Sequence, residues 1–197
     1  MNTQHRIISL HRAILLISGV ALLAVIALPI WRIELDAAQY PEGLELLIYS
    51  NKLEGDVDII NGLNHYIGMK TLHAEDFIEF TVLAYLIGIY GLAFIVVGAL
   101  GRRKLLYVLF GFFLLFGVVA MVDFWRWLYE YGHDLDPSAP IKVPGMAYQP
   151  PLLGFKQLLN FGAFSIPDTG GWIFIACGVL LAYCVYAEWR ITKKGIV

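Results

Sequence analysis

The sequence predicts an all-α integral membrane protein with four transmembrane helices, both termini in the cytoplasm, and two long outer loops that carry short interfacial helices. The 197 residues are 59% hydrophobic with a mean hydropathy of +0.69, above the roughly 45–50% apolar usage of soluble domains. Several apolar runs reach the length of about 20 residues that a bilayer requires. The net charge of −2 offers no basic surface for nucleic acid, so the lipid bilayer is the first expected partner.

Four apolar runs define the predicted spans, at residues 7–31, 77–100, 105–129 and 171–189. The first run exceeds the core of a signal peptide, which has about 7–15 residues, so we expect it to be retained. Basic residues flank one side of all four runs: Arg6, Arg12, Arg102, Arg103, Lys104, Arg190, Lys193 and Lys194. By the positive-inside rule this side is the cytoplasm.

The spans leave two outer loops, at residues 32–75 and 132–170. Alternating hydropathy at residues 32–36 and 46–51 hints at short strands in the first loop. A helix is predicted at residues 56–73, although two glycines weaken it. Residues 152–166 are predicted to form an amphipathic helix on the membrane surface.

The first loop also contains a regular spacing of metal donors, because His65, Met69 and His73 lie four residues apart. On a continuous helix, at about 100° per residue, these side chains share one stripe. A soft metal such as copper favours imidazole and thioether ligands. The alternative is that the histidines are ordinary interfacial residues and that Met69 packs against lipid.

A complete copper site would need donors from the second loop as well. His65 and His73 would be about 12 Å apart on a straight helix, so one ion cannot bind both. His133 and Met146 are the available donors there. The neighbouring amides Asn61 and Asn64 would orient the ligands.

Three ionisable residues lie near the outer ends of the middle spans: Glu79, Asp123 and Arg126. Charged groups near a bilayer are costly and tend to pair, and Asp123 and Arg126 are three residues apart on one helical face. A proton or ion relay would need further acids deeper in the membrane, and we identify none. A structural ion pair is therefore the preferred interpretation.

Neither haem binding nor catalysis is indicated. Only His11 lies in a predicted span, which argues against a bis-histidine haem. The sequence has no P-loop, nucleophile elbow or zincin motif, so we expect no enzymatic activity. Cys177 and Cys184 in the last span are typical of small core residues, with soft-metal ligation as the alternative.

Residues 28–33, 38–44, 60–69, 131–137 and 141–152 together resemble a little-characterised bacterial family of four-span membrane proteins. Its members are encoded beside nitrous oxide reductase and its copper-delivery accessory proteins. The resemblance covers nearly the whole chain and implies an accessory role in denitrification, with no catalytic activity. It favours His65, Met69, His133 and Met146 as ligands over His73, which lies outside the familiar stretches.

Three functions therefore stay open. The first is an accessory protein that binds copper at its periplasmic face or hands it to a respiratory copper enzyme. The second is a membrane scaffold that docks a periplasmic or ABC-type partner without metal. The third is a quinone- or lipid-binding subunit, with Trp125, Trp127 and the helix predicted at residues 152–164 framing an interfacial pocket.

Overall fold

A bundle of helices carries a five-stranded antiparallel sheet at one end in the computed structural model, which describes residues 6–158 and 160–193. The helices are α1 (Ser9–Val25), α2 (Val57–Ile67), α3 (Ile78–Leu100), α4 (Arg103–His133) and α5 (Thr169–Lys193), with a 3-10 turn at Ala74–Asp76. The strands are β1 (Trp31–Ala37), β2 (Tyr40–Ile48), β3 (Leu53–Gly55), β4 (Gly154–Leu158) and β5 (Phe161–Pro167). The predicted all-α fold is therefore wrong. Lys194, one of the flanking basic residues, lies outside the described residues.

Among the described residues, three helices are long and apolar enough to cross a membrane, namely α3, α4 and α5. Only 22%, 17% and 28% of the residues in their apolar windows are buried in the protein. Apolar surface this extensive is rare on soluble proteins and indicates a membrane protein. The prediction of four spanning helices is wrong, because the chain turns into β1 at Trp31 and leaves α1 only 17 residues long.

Helix α1 lies within the bundle and packs against α3 and α5. Its Leu15 and Leu22 side chains are fully buried. Close packing with α3 depends on glycine, since a Cβ built on Gly19 would lie 2.7 Å from the Gly91 carbonyl oxygen. Such small residues let helix backbones approach each other in membrane proteins.

Helix α4 extends from the bundle into the sheet end of the molecule. Its 31 residues span about 46 Å, whereas the hydrocarbon core of a bilayer is about 30 Å thick. The last turns of α4 therefore extend past the ends of the other helices. Leu128 and Tyr131 in these turns are buried in a second apolar core. That core lies between the sheet, α2 and the segment 134–152, which together we call the sheet layer.

The sheet has the strand order β3-β2-β1-β5-β4, so β1 is its centre. Trp31 is paired with Ile48 on one side and with Pro167 on the other. Its indole Nε1 donates a hydrogen bond to Ser165 Oγ at 2.8 Å. The strand suggested by the alternation at residues 32–36 is confirmed as β1. The second strand, β2, begins at Tyr40, earlier than the alternation at residues 46–51 suggested.

The interfacial helix predicted at residues 152–166 is also wrong, because this segment forms the hairpin of β4 and β5. Strand β5 gains a partner from far along the chain, β1, and the pairing satisfies its backbone groups. Ala163 and Ser165 are buried on one face, while Phe164 and Ile166 are half-buried on the other. With apolar side chains on both faces, the two-residue alternation that marks a strand is hidden in the sequence.

Candidate functional site

The stripe of His65, Met69 and His73 does not form on a helix, because α2 ends at Ile67. Gly68 takes a left-handed conformation with φ of 80° and caps the helix, which glycine does without steric cost. The chain then turns so that Met69 is buried in the sheet-layer core, while His65 and His73 are exposed. The predicted helix at 56–73 therefore extends six residues too far, because α2 ends at Ile67.

The two outer loops do meet, as a shared site would require. The Asp136 amide donates to the Gly68 carbonyl oxygen at 2.8 Å, and the Ile141 amide donates to Tyr66 at 2.9 Å. Lys70 and Asp134 form an exposed ion pair at 2.6 Å, which raises the pKa of Lys70.

The donors expected from the second loop lie in different surroundings. His133 is exposed, its Nδ1 lies 2.9 Å from the Tyr129 carbonyl oxygen, and its ring stacks on that of Tyr129. Met146 is half-buried against the sheet-layer core. No cluster of three or more His, Cys, Asp or Glu side chains occurs in the part of the chain that the structure describes. Copper binding, which also involves thioethers, stays a prediction.

Asn61 and Asn64 hold the segment that follows α2. Asn61 accepts a hydrogen bond from the Leu72 amide at 2.6 Å and donates to its carbonyl oxygen at 3.1 Å. Asn64 lies within 3.4 Å of the Lys70 carbonyl oxygen and 3.2 Å of the Tyr131 hydroxyl, which itself donates to Lys70. Both amides therefore fix the loop that carries Met69.

The sheet layer encloses an apolar cavity of about 360 Å³. Its walls come from β1, β2, α2 and the segment after it, the end of α4, the segment 134–152 and the hairpin of β4 and β5. The lining includes Leu63, Asn64, Trp127, Tyr131, Tyr148 and Phe161. None of the described residues that line the cavity carries a charge at neutral pH. Apolar walls with a few polar groups are typical of small-molecule sites.

Two hydrogen-bond donors on this lining have no partner among the described residues: the indole Nε1 of Trp127 and the hydroxyl of Tyr148. The Tyr148 side chain is 1% exposed. Trp127 was one of the aromatic residues expected to frame a pocket, whereas Trp125 is exposed and stacks on Tyr129 instead. Tyr148 lies in a proline-rich segment without periodicity, so no sequence pattern indicated its burial.

A buried cluster of charges lies at the opposite, basic end of the bundle. Glu188 of α5 is fully buried, and its carboxylate lies 2.7 Å from His11 Nδ1 and 2.7 Å from Arg103 Nε. The same carboxylate accepts a hydrogen bond from the Ile8 amide at 2.9 Å. The cluster joins α1, α4 and α5. Sequence reasoning overlooked it, although Glu188 is the only acidic residue of α5.

The other predicted groups occupy simpler positions. Arg126 donates to Asp123 at 3.0 Å on the exposed surface of α4. Glu79 is half-buried in the first turn of α3, where a carboxylate interacts favourably with the helix dipole. Cys177 and Cys184 are buried in the bundle core.

The fold thus defines a membrane protein with a sheet layer at one end of its helices and an apolar cavity within that layer. Comparisons with protein-family models, with curated proteins and with solved structures find no match for this chain.

Proposed function

We propose that this chain is a non-enzymatic protein of the bacterial inner membrane whose sheet layer, on the periplasmic side, binds a lipophilic molecule. The observation that carries the proposal is the uncharged, largely apolar cavity of about 360 Å³. Ligand sites in proteins commonly have about 300–1,000 Å³ and a few polar groups among apolar walls.

The position of the cavity supports a ligand that resides in the bilayer. Trp127 lies 24 residues beyond Arg103 on the continuous helix α4, which corresponds to about 36 Å along the axis. This distance exceeds the hydrocarbon thickness of about 30 Å, so the cavity lies just outside the apolar core of the membrane. The basic residues at the far end of the helices favour a cytoplasmic location for that end.

Native mass spectrometry of the detergent-purified protein tests the proposal. We expect a retained lipophilic adduct of about one molecule per chain in the wild type. Leu63→Trp adds bulk at the cavity wall and should remove the adduct. Leu114→Trp makes the same change on the lipid-facing surface, where Leu114 is 56% exposed, and should leave the adduct in place. Equal retention in both variants would contradict the proposal.

Copper handling at the periplasmic face, for a respiratory copper enzyme such as nitrous oxide reductase, is the second proposal. The contact between the two outer loops supports it, because Gly68 and Asp136 bring the segments of Met69 and His133 together. Elemental analysis after equilibration with cuprous ion tests it. About one copper per chain, lost in the His65→Ala/Met69→Ala variant, is the expected result, and equal copper content in both proteins would refute it.

A further inference from the structure

Two residues of the cavity lining carry buried hydrogen-bond donors that have no partner among the described residues, Trp127 at its indole Nε1 and Tyr148 at its hydroxyl. Buried polar groups in proteins almost always have a hydrogen-bond partner. An unpaired buried polar group lowers the free energy of unfolding by its full desolvation cost. A phenylalanine at position 148 would avoid this cost. A pair of such donors on one cavity therefore points to acceptor atoms on a bound molecule.

The charge of the lining restricts what that molecule can be. The described lining residues include no Lys, Arg, His, Asp or Glu, so no side chain there can neutralise an ionised head group. Transferring an unpaired carboxylate or phosphate into apolar surroundings is strongly unfavourable. Fatty-acid carboxylates and phospholipid phosphates are therefore excluded from the cavity, and a neutral lipophile with oxygen acceptors is left.

The placement of the two donors on separate elements favours a molecule with two carbonyl groups. Trp127 belongs to α4 and Tyr148 to the segment 134–152, so the donors come from separate elements. Each sits in an aromatic stack, Trp127 with Phe124 at 6.0 Å and with Tyr131 at 5.1 Å between ring centroids, and Tyr148 with Phe161 at 6.4 Å. A planar ring with carbonyls on opposite edges can accept one hydrogen bond at each edge.

We propose that the cavity binds the head group of a lipophilic quinone, with Tyr148 and Trp127 donating hydrogen bonds to its carbonyl oxygens. This inference rests on the proposed binding of a lipophile, and it concerns binding alone. An ester lipid could supply the same acceptor chemistry, so the experiment includes an ester.

Calorimetric titration of the detergent-solubilised protein with three probes tests the inference. The probes are a decyl-substituted benzoquinone, methyl decanoate and decylbenzene, which has no acceptor. For each probe, the affinity of the wild type is compared with that of each variant. The partition of the probe into micelles is the same in both measurements and cancels. Tyr148→Phe removes only the hydroxyl, and Tyr85→Phe makes the same change at a side chain that is 73% exposed on the surface.

We expect Tyr148→Phe to weaken quinone binding about 2- to 10-fold, as loss of one hydrogen bond predicts, and to leave decylbenzene binding unchanged. Tyr85→Phe should change neither. Without ligand, Tyr148→Phe should unfold at the same or a higher temperature than the wild type, because its hydroxyl has no acceptor among the described residues.

The possible failures are distinguishable. If no probe binds the wild type, the proposed lipophile function is refuted together with this inference. If quinone and decylbenzene both bind and Tyr148→Phe affects neither, lipophile binding stands and the carbonyl contact is refuted. Weakened binding of the ester alone would overturn the assignment to a quinone.

Discussion

Replacing Glu188 by alanine should destabilise the protein strongly. The carboxylate is fully buried and receives hydrogen bonds or close polar contacts from Ile8, His11 and Arg103. Its removal leaves the guanidinium of Arg103, which is 7% exposed, without its carboxylate in a low-dielectric site. Breaking a buried pair by removing one partner costs about 3–5 kcal/mol in free energy of unfolding.

Two further variants separate charge from packing. Arg103→Met/Glu188→Leu replaces both members of the ion pair by apolar side chains of similar size. It should recover most of the stability that Glu188→Ala loses. Asp123→Ala breaks the ion pair with Arg126, whose side chains are 32% and 61% exposed. Solvent-exposed pairs contribute at most about 1 kcal/mol, so this control should change stability little.

Unfolding in mixed micelles of detergent and increasing dodecyl sulfate, followed by circular dichroism, measures these differences. The expected order of stability is wild type, then Asp123→Ala slightly below it, with Glu188→Ala far lower. Equal losses for Glu188→Ala and Asp123→Ala would refute the argument that burial sets the strength of the cluster. A double variant as unstable as Glu188→Ala would show that packing, and not the loss of the ion pair between Glu188 and Arg103, causes the destabilisation.

Two other predictions use the same unfolding assay. Gly132→Ala should lower the free energy of unfolding by about 1–3 kcal/mol, because its Cβ would lie 2.3 Å from the Gln149 backbone. The Cβ of Gly117→Ala in the same helix meets nothing within 4 Å, so this control should gain up to about 1 kcal/mol from helix propensity. Equal losses of stability in the two variants would contradict the prediction. Asn61→Ala should lower the free energy of unfolding by about 1–3 kcal/mol, because both backbone groups of Leu72 lose their hydrogen-bond partner. Asn61→Asp keeps the acceptor and should lower it less. The reverse order would refute the role of Asn61 in holding the Leu72 backbone.

The long apolar helices were predictable from the sequence, and the sheet largely was not. The runs at 77–100 and 105–129 correspond to α3 and to most of α4, because length and hydropathy decide spanning helices. The central strand pair of β1 and β5 joins residues about 130 positions apart, and no local pattern encodes such a pairing. The short alternation at 32–36 indicated β1 but not its partners.

The candidate sites show the same division between local and long-range information. A single glycine, Gly68, ends α2 and separates His65 from Met69, and glycine is a known stop signal for helices. The burial of Tyr148 and the partners of Glu188 depend on tertiary packing between distant segments. The residue type alone shows that a buried polar side chain destabilises the protein if it has no partner. Which partner it meets is decided only by the tertiary fold.

The central position of β1 in the sheet has a consequence for biosynthesis. Strand β1 is complete early in translation, yet its second neighbour, β5, begins only at Phe161. At roughly 5–20 residues per second, the interval between the two strands is on the order of 10 seconds. During that time the hairpin of β1 and β2 exposes an unpaired strand edge, which is open to pairing with other chains. The nascent protein therefore keeps this edge of β1 open to other chains until β5 has been made and can pair with it.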